Sequence, residues 1–68
     1  MVALGEAIRR IRVSKRISQE KLALLAEVDR SYMGRIERGD NNVTVLTIRK
    51  VAKTLGVSVA KLMREAGL

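Results

Sequence analysis

Residues 18–39 read SQEKLALLAEVDRSYMGRIERG, and the fold turns on how this stretch breaks into helices. Ser18 offers a hydroxyl to cap free backbone N–H groups, and Leu22, Ala23 and Ala26 behind it form the apolar stripe of a short helix. Lys21 stands where a capping box would want Glu or Gln, so only half of that motif is present. Glu27 and Val28 then separate this helix from a second cap, Asp29, whose carboxylate can accept from the N–H of Ser31 or Tyr32 and favours the positive helix end. The next helix starts at Arg30, carries Met33 and Ile36 inward and stops at Gly39, the residue type that most readily takes the left-handed conformation. So brief a connection does not let two helices run antiparallel; they must cross steeply.

Outward from this pair the same periodicity continues. Toward the N-terminus, Leu4, Ala7, Ile8 and Ile11 recur with helical spacing and predict a first helix from about Val2 to Lys15. Toward the C-terminus, Gly39, Asp40, Asn41 and Asn42 read as an exposed loop. Thr44 caps a fourth helix with Val45, Ile48, Val51, Ala52 and Leu55 inward and Gly56 at its end, and Ser58 caps a last one containing Val59, Leu62 and Met63. With no strand signal, repeat or linker, the expectation is an all-α, compact five-helix bundle forming a single domain over residues 1–68.

Composition narrows what such a bundle can do. A chain of 68 residues holds one hydrophobic core, and a core that small gains from a staple. There is no Cys and no His, which removes disulfides and nearly all structural zinc arrangements and leaves self-association. The balance of 14 Lys plus Arg against 7 Asp plus Glu, a formal +7, points to a polyanionic partner, the alternative being a solvated basic surface. With Tyr32 as the one aromatic residue, base stacking of a single strand is disfavoured and a duplex is the better fit. Lacking His, Cys, a glycine-rich phosphate loop and a carboxylate cluster, the chain offers nothing for catalysis, and neither enzyme activity nor a cofactor or metal is expected. No apolar run reaches membrane-spanning length and the first residues lack the layout of a secretory signal, so a cytoplasmic protein without membrane contact is expected.

Steeply crossed short helices joined this way are the geometry of a helix-turn-helix, although structural bundles contain such pairs too. The residues are more specific. Ser18-Gln19-Glu20-Lys21-Leu22-Ala23, Val28-Asp29-Arg30-Ser31-Tyr32-Met33, Ile36-Glu37-Arg38-Gly39 and Val51-Ala52-Lys53-Thr54-Leu55-Gly56-Val57 together resemble the Cro/phage-repressor, or xenobiotic-response-element, helix-turn-helix family, over residues 4–63. Within it, Asp29-Arg30-Ser31-Tyr32, Glu37-Arg38-Gly39 and Asn42-Val43-Thr44 are most similar to controller proteins of restriction–modification systems. The resemblance implies a lambda-repressor-like DNA-binding domain: a homodimer on a palindromic double-stranded operator, regulating its own operon as activator or repressor. Bound upstream of a promoter, such a protein could contact RNA polymerase. A prophage-type repressor or the antitoxin of a toxin–antitoxin pair is the alternative within the same family.

The same resemblance assigns roles. Gln19 matches a position that hydrogen-bonds a DNA phosphate, where a helix N-terminus also favours an anion. Arg30, Ser31 and Arg35 match base-facing positions; an Arg there can fork onto O6 and N7 of guanine, worth ~1–3 kcal/mol of discrimination, or serve as a nonspecific phosphate contact. Ser31 could equally act as a second cap. Tyr32 would lie along the groove wall with its hydroxyl on phosphate, or pack in the core; Arg38 adds a phosphate contact. Asn41, Asn42 and Thr44 match a backbone clamp, with turn and capping chemistry as the other explanation for Asn42 and Thr44. Arg12 and Glu37 match an inward ion pair joining the first and third helices. Two departures from the controller pattern stand out: Gly34 beside an Arg35 where controllers commonly carry a small residue, and Asn41 where they can place a base-reading Arg. Gly34 costs the helix up to ~1 kcal/mol and invites a close approach by DNA or a packed helix.

A single recognition helix reads few base pairs, so useful specificity calls for two half-sites and a two-fold symmetric protein. On and beside the last helix, Val57, Val59, Leu62, Met63 and Leu68 exceed what one short helix would bury and place the expected dimer interface there, with Leu62 expected in the core and Leu46, off the buried stripe of the fourth helix, joining the interface.

Overall fold

The computed structural model describes residues 2–39 and 43–68, so the backbone-clamp roles expected of Asn41 and Asn42 fall outside the described residues. Five helices follow one another: α1 (Val2–Ser14), α2 (Gln19–Leu25), α3 (Arg30–Arg38), α4 (Val45–Leu55) and α5 (Val59–Glu65). Among the described residues there is no strand. The chain is the all-α bundle that its periodicity predicts.

Local chemistry sets the helix starts. The side chains of Ser18, Asp29, Thr44 and Ser58 each accept from backbone N–H groups in the first turn that follows. At the other end, Gly39 and Gly56 close α3 and α4 in the left-handed region, with φ of 77° and 73°. The helices α1 and α2 end differently, with no glycine: Arg16 and Glu27 take φ of 58° and 57°. In each case the next N–H reaches five residues back, Ile17 to the Arg12 carbonyl and Val28 to that of Ala23, which is the hydrogen bond of a Schellman ending. Ile17 and Val28 are partly buried against the core, and that contact offsets the cost of a left-handed non-glycine residue. One result is that α1 stops at Ser14, with Lys15 already in the turn.

The core gathers Leu4, Ala7 and Ile8 of α1, Leu22 and Ala23 of α2 with Ala26 just beyond it, Met33 and Ile36 of α3, Ile48, Val51, Ala52 and Leu55 of α4, and Leu62 of α5. Against this core α3 packs on both α1 and α2, which leaves one of its sides outward. Val45, read from the sequence as inward, is 70% exposed. It is the first residue of α4, and Val43, one position before the cap, packs on the core in its stead, with Ile48 at the complementary staple position. Of the residues expected at a dimer interface, Leu46 and Leu68 are exposed, whereas Val57, Val59 and Met63 are half-buried against the chain's own core. The fold claims part of their surface because α5 has to cover both α1 and α4.

A constraint with no counterpart in the periodicity sits at Gly5, which is buried in the middle of the α1–α3 contact. A Cβ at this position would overlap the carbonyl oxygens of Ile36 and Glu37, lying 2.5 Å from the latter. Those are backbone atoms of α3 and cannot step aside as a side chain would. Gly5→Ala should therefore push α3 off α1 and destabilise by ~1–3 kcal/mol, whereas Glu27→Gly should relieve left-handed strain and stabilise by up to ~1 kcal/mol. Thermal unfolding of the two variants should show shifts of opposite sign, and a Gly5→Ala protein as stable as the parent would mean that the close contact is not tight.

Candidate nucleic-acid interface

The start of α3 is fixed by Asp29, whose Oδ2 accepts from the N–H of Ser31 at 3.0 Å and of Tyr32 at 3.3 Å. From that anchor the helix turns Met33, Gly34 and Ile36 inward and leaves Arg30, Ser31, Arg35 and Arg38 exposed. The outward residues and Gln19 at the head of α2 line one open groove of about 330 Å³. Five residues assigned to DNA from the sequence, Gln19, Arg30, Ser31, Arg35 and Arg38, thus share one surface.

Two of its charges are poorly satisfied by the protein. Arg30 reaches Glu20 at 4.0 Å, with side chains 65% and 77% exposed, a contact worth next to nothing in water. The Arg35 side chain has no hydrogen bond or ion pair among the described residues. Gly34 lies at the groove floor, where an added Cβ would meet Arg38 Nη1 at 3.4 Å and Gln19 Oε1 at 3.6 Å, ordinary contact distances. No packed backbone demands a glycine there; the missing side chain instead deepens the groove between two polar side chains.

Beneath this surface lies a part-buried polar network. Arg12 donates from Nε to Glu37 Oε2 at 2.7 Å and from Nη2 to Oε1 at 3.0 Å, and its Nη1 donates to the Ile17 carbonyl at 2.9 Å. Both side chains are largely shielded, at 12% and 5% exposure. Gln19 Nε2 joins by donating to Glu37 Oε1 at 3.3 Å. The Arg12–Glu37 pair therefore ties α1, the turn after it, the head of α2 and the end of α3: the guanidinium holds the turn and the carboxylate holds α2.

Two assigned residues stand apart from the groove. Tyr32 is half-buried and packs on the core. The Thr44 hydroxyl caps α4, accepting from the Thr47 N–H at 3.1 Å and donating to the Thr47 hydroxyl at 2.9 Å. Conversely, sequence reading assigns no role to Arg9, which with Arg12, Gln19, Gly34, Glu37 and Arg38 lines a second groove of about 370 Å³. The signal is present: Arg9 lies one turn before Arg12, on the side of α1 that turns toward α3. Among the described residues no group of His, Cys, Asp and Glu is placed to hold a metal ion, and no helix is long and apolar enough to cross a membrane.

A capped helix presenting outward arginines, braced by a second short helix across a tight turn, defines a protein of the helix-turn-helix class. A family profile described as helix-turn-helix matches residues 8–62, and the chain belongs to that family. It is 42% identical over 65 residues to the control protein C.SmaI of Serratia marcescens, covering 96% of this chain and 77% of that protein. Among solved structures, the restriction–modification controller protein C.AhdI from Aeromonas hydrophila superposes with a TM-score of 0.87 at 43% identity, covering 90% of this chain and 92% of that one. The master regulator for biofilm formation SinR, solved in complex with DNA, gives a TM-score of 0.83 at 36% identity, with 88% and 97% covered.

The part-buried network makes an energetic prediction. Arg12→Met or Glu37→Met alone leaves one part-buried charge without its partner and should cost ~1–3 kcal/mol, whereas the double variant should cost much less. Urea unfolding of the four proteins measures the coupling; additive losses would show that the pair does not act as a unit.

Proposed function

We propose that this protein is a DNA-binding transcriptional controller of a restriction–modification operon, working as a homodimer on a palindromic site that includes its own promoter. The observation that carries the reading is the outer face of α3, where Arg30, Ser31 and Arg35 stand clear of the fold in a chain whose relatives include C.SmaI and C.AhdI. The SinR structure adds that a protein of this fold occurs bound to DNA.

On this reading the N-terminal part of α3 enters the major groove. Arg30 and Arg35, one turn and a little more apart, fork onto guanine edges, and Ser31 adds a hydroxyl to a base or phosphate. Gln19 uses one amide N–H on Glu37 and keeps the other for a phosphate oxygen at the head of α2. Arg38 and Tyr32 hold the same strand. Thr44 acts with its hydroxyl already engaged in the cap, so its share of the clamp falls to backbone N–H groups at the start of α4, continuing the clamp from Asn41 and Asn42. On operator and scrambled duplexes, Arg30→Ala should erase most of the preference for operator, while Gln19→Ala should weaken both DNAs alike, as a mobility-shift titration would read. Equal losses for the two variants would undo this division of roles.

The dimer is proposed at the α4–α5 side. Leu46 and Leu68 are exposed to 61% and 68%, and Leu46, Val57 and Val59 line a groove of about 510 Å³. Met63, half-buried nearby on α5, completes the apolar set. Arg49, Lys50 and Lys53 line the same groove with no carboxylate among its lining residues, so two copies meeting there bring like charges together. Dimerisation should then tighten as salt screens that repulsion, while DNA binding weakens with salt through counterion release. Sedimentation velocity across a NaCl series checks the first effect, and Leu46→Glu should shift the population toward monomer. A dimer that loosens with salt and ignores Leu46→Glu would place the interface elsewhere. Operator occupancy would follow protein concentration in the cytoplasm, and contact with RNA polymerase from an upstream site would supply activation.

A further inference from the structure

We infer that Arg9 of α1 is a further phosphate-binding residue, carrying the duplex-contact surface beyond the helix-turn-helix itself; the inference rests on the DNA-binding reading above. The two grooves on this side share Gln19, Gly34 and Arg38, so they form one continuous trough from Arg30 and Arg35 on α3 to Arg9 on α1. A phosphate path that reaches Gln19 and Arg38 therefore continues toward Arg9 without crossing an apolar ridge.

The charges around that end of the trough favour an anion. Among the described lining residues Glu37 is the one carboxylate, and Arg12 meets it with two hydrogen bonds that leave the pair neutral. Arg9 thus adds a charge that this pair does not cancel. Arg9 is exposed and its side chain has no hydrogen bond or ion pair among the described residues, not even with Glu6 one turn before it on the same helix. Its guanidinium has no internal task, and a helix held to α3 by Gly5 and Arg12 presents it from a fixed base.

The test compares full-length wild type, Arg9→Ala, Arg9→Lys and Arg30→Ala on operator and scrambled duplexes between ~50 and ~200 mM salt. Removing one phosphate neutralisation from each protomer changes the slope of log affinity against log salt by ~0.9, so a dimer of Arg9→Ala should have a slope shallower by ~1.8. Over that fourfold range wild type should then lose about tenfold more affinity than Arg9→Ala. Arg9→Lys should keep the wild-type slope, and operator preference should be unchanged in both. A wild-type slope for Arg9→Ala, or a loss confined to operator DNA, overturns the assignment while Arg30→Ala still reports on the helix-turn-helix. Wild type that binds neither duplex at low salt sinks the DNA-binding reading and Arg9 with it.

Discussion

Arg12 and Glu37 hold the back of α3 to α1 through two hydrogen bonds in a largely water-free setting, and the presentation of α3 depends on that junction. A helix of nine residues is too short to be stable in water by propensity alone. Its position comes from packing and from its two ends. Gly5 lets the α1 and α3 backbones meet with no side chain between them, and the ion pair then fixes how α3 is rotated about its own axis. Rotation matters because a turn of a few tens of degrees would carry Arg30 and Arg35 off the groove that they line together, the groove that faces base edges under the proposed function.

The same junction resolves a conflict of charge. Under the proposed function α3 meets a polyanion, which would repel a carboxylate, yet Glu37 sits in that helix between Ile36 and Arg38. Arg12 neutralises it, and the shielding of both groups from water strengthens their mutual attraction. Gln19 donates to the same carboxylate, so the group that orders the fold also orients an amide at the surface. Such a network is sensitive to partial loss, since each member left behind would be a buried polar group without its partner.

Much of this was legible in the sequence because capping chemistry is local. Ser18, Asp29, Thr44 and Ser58 declare helix starts, and Gly39 and Gly56 declare two ends. What escaped reading depends on partners distant along the chain. Gly5 looks like a weak point of α1 until its neighbour across the contact is known to be backbone. Val45 keeps the apolar spacing of α4, yet Val43 claims the buried place because the chain enters the helix from that side. Arg16 and Glu27 end helices in a conformation that their residue types do not announce, held there by the apolar residues that follow them. The site divides in the same way: the outward positions of α3 follow from helical period, whereas the trough that joins them to Arg9 exists only once α1 lies against α3.

The distribution of cations links fold to regulation. Arg30, Arg35 and Arg38 line the α3 face, while Arg49, Lys50 and Lys53 line the groove on α4, and among the described residues no acidic one lines either groove. A duplex held by the first set would lower the potential around the whole small domain and ease the approach of a second copy at the other set. Salt and DNA would then act on association in the same direction, both by screening positive charge, although salt competes with the protein for phosphate. Under the proposed function, assembly would then be favoured on the duplex. Occupancy would therefore rise more steeply with concentration than a preformed dimer allows, because charge that would weaken pairing in solution would be neutralised on DNA.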